Sequence, residues 1–406
     1  MGSRARITMV SLGALASVGA IDAAASAPDP ESFSAPLPGL DAEQRARFEA
    51  GRAQFETREG IADGLGPIFN GVSGGETPAV ACASCHDVGG AGGGSDLFET
   101  RFGRRLDGGG FDPLAALGGT LLQAFAIPGF DAEKVPAEAD VTARRRSIPL
   151  FGLGLVDAVP DETFHSIAAA QREKTPETAG RVSIATSRAN RQPAVAKFGW
   201  KAQIQSLLEF AGSAYVNEMG ITSSAFPVEN CPGAAPGTCD DGVADPEDDG
   251  TDVARFRDFM TFLAPPPRGR ITPGAVRGEA AFERVGCADC HVPTLTTGSS
   301  RFAALDNKAF HPYSDFLLHD MGSLGDGIGG AQADASGIEA VATRNEMRTQ
   351  PLWGLRLVDR YLHDGRATTL PDAIAAHDGQ AATARRRFFE LGPDEQEDVV
   401  AFLKSL

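Results

Sequence analysis

The chain has 406 residues, 42% of them hydrophobic, and a formal charge of −17 at neutral pH. That length and apolar content suit two or three domains with real cores and exclude wholesale disorder. The acidity argues against nucleic acid as a partner; it suits a cationic partner such as a small basic electron carrier, or serves solubility alone.

Residues 1–27 read as a secretory signal. Arg4 and Arg6 form a basic start, Ile7 to Ala20 an apolar run, and Ala23-Ala24-Ala25 or Ala25-Ser26-Ala27 a small-residue cleavage site. The run is too short for a permanent anchor, and no later segment is apolar enough to span a membrane. The expectation is a soluble protein of a bacterial periplasm or similar exported space.

Asp41 to Thr57, with Phe48 and Phe55 among charges, predicts an amphipathic helix. The turn-rich stretch Gly60 to Gly75 leads to Cys82-Ala83-Ser84-Cys85-His86, of Cys-x-x-Cys-His form. That spacing lets two thiols add to the two vinyl groups of a haem while the adjacent His reaches the iron. The form recurs at Cys287-Ala288-Asp289-Cys290-His291. Zinc knuckles or thioredoxin-like sites are the alternative, but His follows directly both times and no further Cys complete a zinc set. The prediction is two covalently bound haem c groups.

Gly89 to Gly94, nearly all glycine, lacks the flanking strand and Lys-Ser/Thr of a phosphate loop and reads as a loop beside a haem edge. Arg144-Arg145-Arg146 suit haem propionates or solvent equally. Lys197 to Met219 carries apolar residues at helical spacing and contains Trp200, a large core aromatic, and Glu218, a surface or helix-cap carboxylate on its own showing.

Cys231 and Cys239 suit a loop-closing disulfide or a pair of redox thiols. The acidic loop around them, to Asp252, has no EF-hand spacing; it reads as a solvated excursion, and calcium has no support from it. Asp252 to Leu263 predicts a helix, and Ala264-Pro265-Pro266-Pro267 stops it. That run divides the mature chain into residues 28–267 and 268–406.

A weak repeat supports two similar halves. Gly51-x3-Phe55 precedes the first haem motif and Gly278-x3-Phe282 the second, and each half closes on a helix, Phe256 to Leu263 and Glu395 to Leu406. The expected fold is mainly α: two cytochrome c-like haem domains with long loops and little sheet.

The chain resembles the bacterial di-haem cytochrome c peroxidases and their MauG-like relatives. The haem motifs carry this, with Tyr361-Leu362-His363-Asp364-Gly365-Arg366 near the C-terminus. Pro149-Leu150-Phe151-Gly152-Leu153-Gly154, Phe198-Gly199-Trp200-Lys201-Ala202, Asn217-Glu218-Met219-Gly220, Leu318-His319-Asp320-Met321-Gly322 and Pro351-Leu352-Trp353-Gly354-Leu355 are similar to its di-haem oxidoreductase branch.

The resemblance implies a peroxide-binding haem on His86 and an electron-transfer haem on His291. It implies Trp200 between the haems and Glu218 as acid/base at the peroxide side, with Phe210 where the peroxidases carry a Gln. It also implies a sixth ligand for the second haem fourteen residues beyond His363, which here is His377; Met321, Met347 and His319 are rivals. Many relatives carry a distal His soon after the first haem motif. None stands between Asp87 and Phe164, so the first iron is expected without a distal protein ligand.

The expected function is reduction of hydrogen peroxide with electrons from a small donor protein, a cytochrome c or a cupredoxin. The rivals are peroxide-dependent oxidation of a partner protein, as MauG performs, and a plain di-haem electron carrier.

Overall fold

The computed structural model describes residues 33–71, 77–107, 110–188, 190–330 and 342–406. The expected signal segment lies outside the described residues. In chain order the helices are α1 (Ala42–Glu56), α2 (Leu153–Asp157), α3 (Asp161–Lys174), α4 (Leu207–Ala214), α5 (Thr251–Phe262), α6 (Pro273–Arg284), α7 (Leu370–Ala375), α8 (Ala382–Glu390) and α9 (Pro393–Ser405). Among the described residues no helix is long and apolar enough to cross a membrane.

Local chemistry sets the ends of the important helices. Asp41 Oδ1 accepts from the Gln44 N–H at 2.8 Å, and the Gln44 side chain reaches back to the Asp41 N–H, a reciprocal cap that starts α1. Thr272 Oγ1 accepts from the Ala275 N–H and Pro273 occupies the first turn of α6, where its missing N–H costs nothing.

Two crossed helix pairs repeat one design. α1 packs on α5, and α6 on α9. At the first crossing a Cβ on Gly51 would lie 2.4 Å from the Arg255 carbonyl oxygen; at the second, one on Gly278 would lie 1.9 Å from that of Asp398. Only glycine lets the backbones approach this closely. Four residues on, Phe55 packs on Phe259 with ring centroids 4.8 Å apart, and Phe282 on Phe402 at 5.2 Å. The same two rings lie 6.2 Å and 6.3 Å from His86 and His291. The repeated Gly-x3-Phe thus fixes a crossing and sets an aromatic wall beside each Cys-x-x-Cys-His.

Burial follows the two pairs. One apolar cluster holds Phe48, Phe55, Phe256 and Phe259 with much of residues 150–221, and it also takes in Leu295, Leu305, Phe310, Phe316 and Leu317 from beyond the proline run. A second is built on Ala275, Phe282, Phe388, Val399, Phe402 and Leu403. Each large apolar side chain so buried contributes about 1.5–3 kcal/mol.

The fold is helical with several small sheets, and the strands exceed the sequence expectation. Phe98–Arg105 pairs antiparallel with Val141–Arg146, with Phe111–Asp112 and with Leu121–Leu122. The expected helical run from Lys197 begins only at Leu207. Before it, Phe198 pairs with Ile204 around a tight turn in which Gly199 and Ala202 have positive φ. The Lys201 ammonium, which sets the turn, is buried on Asp326 at 3.0 Å and on the Glu346 carbonyl at 2.6 Å.

Candidate active site

Both Cys-x-x-Cys-His motifs begin as single tight turns, Cys82–Ser84 and Cys287–Asp289, the first against α1 and the second against α6. All four thiols are free and half-buried. Burial pushes the Cys85 and Cys287 thiols up to about 12, which disfavours the thiolate that redox chemistry would need.

The histidines are prepared alike. His86 Nδ1 bonds the Gly93 carbonyl at 3.0 Å, His291 Nδ1 that of Tyr313 at 2.9 Å, and His377 Nδ1 that of Ala373 at 2.8 Å. A carbonyl only accepts, so each Nδ1 carries the hydrogen and each Nε2 keeps its lone pair. Burial holds all three pKa values below the usual imidazole value, that of His291 at about 4 with a contribution from His377. A neutral imidazole is the metal-binding form. The glycine run is part of this device: Gly93 supplies the acceptor for His86, and the Gly92 N–H donates to the His86 carbonyl at 2.9 Å.

His291 and His377 line one cavity of about 290 Å³, with Phe282, Cys287, Cys290 and Leu403 around them. It continues past Met321, Met347, Trp353 and His363 to Trp200 and reaches Gly94, Ser95 and Ile148, which adjoin His86. Trp200 lines the same cavity, its Nε1 donating to the Arg146 carbonyl at 2.8 Å and its ring edge-to-face with His363 at 6.1 Å. His319 is occupied differently. Its Nε2 faces Asp315 Oδ2 at 2.9 Å and its Nδ1 faces Cys290 Sγ at 3.5 Å.

Glu218 lies on a π-helical turn, Tyr215–Met219, that extends α4 and ends at Gly220. Such wide turns are rare and concentrate at functional sites. The Asn70 side chain donates to Glu218 Oε2 at 2.9 Å, and the Asn70 N–H to the Glu218 carbonyl at 2.6 Å. A second carboxyl, Glu99, is hydrogen-bonded to Glu218. Arg101 grips Glu99 with two bonds, 2.8 Å from Nε and 3.1 Å from Nη2. Desolvation, then the Glu99 charge, pushes Glu218 up to about 8, while Arg101 keeps Glu99 below the usual range. Both carboxyls act electrostatically on Cys85 of the first motif.

The sequence reading missed Glu99, Arg101 and Asn70, which converge from a strand and a loop distant in the chain. Phe210 does not join them; it stacks on Phe198 at 6.0 Å. The three arginines diverge. Arg144 is exposed over the Phe98 ring at 4.0 Å, Arg145 is buried on Asp326 at 2.6 Å, and Arg146 bonds the Ser95 carbonyl at 2.7 Å and lines the cavity. Neither His165 nor His311 lines this cavity. Cys231 and Cys239 are disulfide-bonded, as a loop-closing pair would be.

No curated protein matches the chain. Hydrazine synthase of Kuenenia stuttgartiensis is 16% identical over 97% of this chain and 100% of that one, with a TM-score of 0.40. The diheme peroxidase BthA of Burkholderia thailandensis is 15% identical over 94% and 89%, with a TM-score of 0.41. A MauG-like protein associated with microbial copper homeostasis is 17% identical over 69% and 94%, with a TM-score of 0.31. Residues 133–406 match the family described as "Di-haem oxidoreductase, putative peroxidase". The matched range contains the second Cys-x-x-Cys-His but not the first, which rests on its own residues. With well over half of its length matched, the chain belongs to the di-haem oxidoreductase family.

Proposed function

We propose that this oxidoreductase is a periplasmic enzyme that reduces hydrogen peroxide with electrons from a small donor protein, a cytochrome c or a cupredoxin. Family membership implies two haems, and the residues present suit them. Each motif offers two thiols outside any disulfide and a histidine whose Nδ1 is engaged by a carbonyl. The cavity at His291 is largely apolar, and at its wall the Trp353 indole N–H is buried with no hydrogen-bond partner among the described residues. In this reading Cys82, Cys85 and His86 would hold the peroxide-side haem, and Cys287, Cys290, His291 and His377 would hold the electron-transfer haem. The two haem domains meet near the proline run. When bound, the haems supply the iron that takes up peroxide oxygen and passes electrons.

The chain's own contribution is proton handling and positioning. Glu218 takes a proton from the near peroxide oxygen and returns it to the leaving one. Asn70 orients its carboxyl. Burial, and then the Glu99 charge that Arg101 keeps anionic, raise the proton affinity of Glu218 to about 8. Trp200, fixed through its N–H, supplies an aromatic step between the haem sites.

The observation that carries this reading is the half-buried Glu218 carboxyl, paired with Glu99. A plain electron carrier has no use for it. The test is steady-state oxidation of a reduced small cytochrome by hydrogen peroxide, catalysed by the haem-loaded protein. Turnover supports the reading. Peroxide reactivity without donor turnover would favour oxidation of a partner protein, and no reaction at all would favour the carrier.

A further inference from the structure

The acidic loop between Cys231 and Asp252 is largely exposed, but it packs over buried carboxyls. Glu229 is only 2% exposed and Asp248 5%. The loop is stapled by its disulfide and docked on the Glu218 turn, where the Asn230 side chain donates to the Val216 carbonyl at 3.0 Å. Thr222, two residues beyond that turn, gives its hydroxyl to Asp245 Oδ1 at 2.8 Å and its N–H to Glu247 Oε2 at 2.7 Å.

Two trios of carboxylates share Glu229 here. One oxygen of Glu229 lies within 4.8 Å of oxygens of Asp240 and Asp241, and one likewise of Asp245 and Glu247. Three of the oxygens, Glu229 Oε2, Asp241 Oδ2 and Glu247 Oε1, are buried with no hydrogen-bond donor. The other Glu229 oxygen has only a long contact, 3.5 Å from the Asp241 N–H. The charged groups acting on Glu229 are Asp241 and Asp245, and on Glu247, Asp245; no Lys or Arg is among them. Burial and these like charges raise the proton affinity of both. A buried anion without a partner costs several kcal/mol. A shared proton satisfies two oxygens at most, whereas a cation satisfies every oxygen of the trio it enters.

We propose that Glu229, Asp245 and Glu247 form a calcium site, flanked by Asp240 and Asp241, that clamps this loop onto the turn bearing Glu218. The donors are all oxygen, which excludes the softer metals that seek His or Cys. Their spread over a flexible loop suits the six to eight oxygens and loose geometry of calcium better than the rigid octahedron of magnesium. Nothing in the proposal depends on peroxide chemistry.

The experiment is calorimetric titration of the haem-loaded, chelator-stripped protein with calcium chloride, paired with thermal unfolding in calcium or in chelator. Wild type binds calcium with a dissociation constant of about 10⁻⁴ M or tighter, and its Tm rises with calcium. Glu229→Gln and Glu247→Gln each abolish the binding heat and the calcium-dependent rise in Tm. Absence of binding to wild type overturns the proposal and leaves a shared proton as the explanation. Undiminished binding in both variants also overturns it, since the calcium would then sit elsewhere. Should either variant fail to fold, the wild-type titration still decides.

Discussion

Glu99 and Glu218, far apart in sequence, are hydrogen-bonded carboxyls, and Arg101 gives both its side-chain bonds to Glu99. The bidentate hold of Arg101 fixes the negative charge on Glu99 and leaves Glu218 as the member that gains and loses a proton.

A pH dependence follows. Glu218 is raised to about 8, so below that pH it carries its proton and cannot accept another. The rate of reaction with peroxide should rise with pH through about 8. Glu99→Gln removes the like charge, so the midpoint should move down and the rate at neutral pH should increase. Stopped-flow rates across pH check this; an unmoved midpoint would separate Glu99 from the titration.

The second haem should be low-spin with His291 and His377 as axial ligands. Both line the cavity, and both present Nε2 with Nδ1 engaged. Replacing His377→Ala should turn one haem high-spin in electron paramagnetic resonance. A surviving low-spin signal would move the assignment to Met321 or Met347, which share the cavity wall; His319 is already occupied by Asp315.

The mass of the exported protein should show two haem additions and loss of the first 25 or 27 residues. Cys85→Ser and Cys290→Ser should each disturb attachment at one site only. A chain without haem, made alongside a cytochrome c maturation system, would contradict the covalent assignment.

The helix crossings make a stability prediction. A methyl at Gly278 would meet backbone, which cannot rotate away. Gly278→Ala should cost about 1–3 kcal/mol, the usual range for overpacking, seen as an earlier denaturant midpoint. Unchanged stability would mean that the helices part without penalty.

Much of this was legible because it is local. The haem motifs, the capped helices, the proline stop and the Cys231–Cys239 pair each lie within a short window, and the repeated Gly-x3-Phe marked both crossings. What escaped depends on distant pairing. Phe98–Arg105 is rich in charge and reads as surface, yet pairing with Val141–Arg146 puts Glu99 opposite Arg145 and brings Glu99 to Glu218. The turn around Trp200 read as helix because its apolar spacing fits one, while burial of Lys201 on Asp326 sets the backbone otherwise. The acidic loop read as solvated, and composition does not reveal that Glu229 beside it is enclosed.

The most direct test is stopped-flow spectroscopy of wild type and Glu218→Gln mixed with hydrogen peroxide, in the fully oxidised and half-reduced states. Gln keeps the volume and the hydrogen bonding but cannot accept and return a proton. Positioned proton transfer typically contributes about 10²–10⁴-fold, so the variant should keep both haems and react slower by that order. Reaction of Glu218→Gln at the wild-type rate, or no peroxide-dependent change in wild type in either state, would contradict the account.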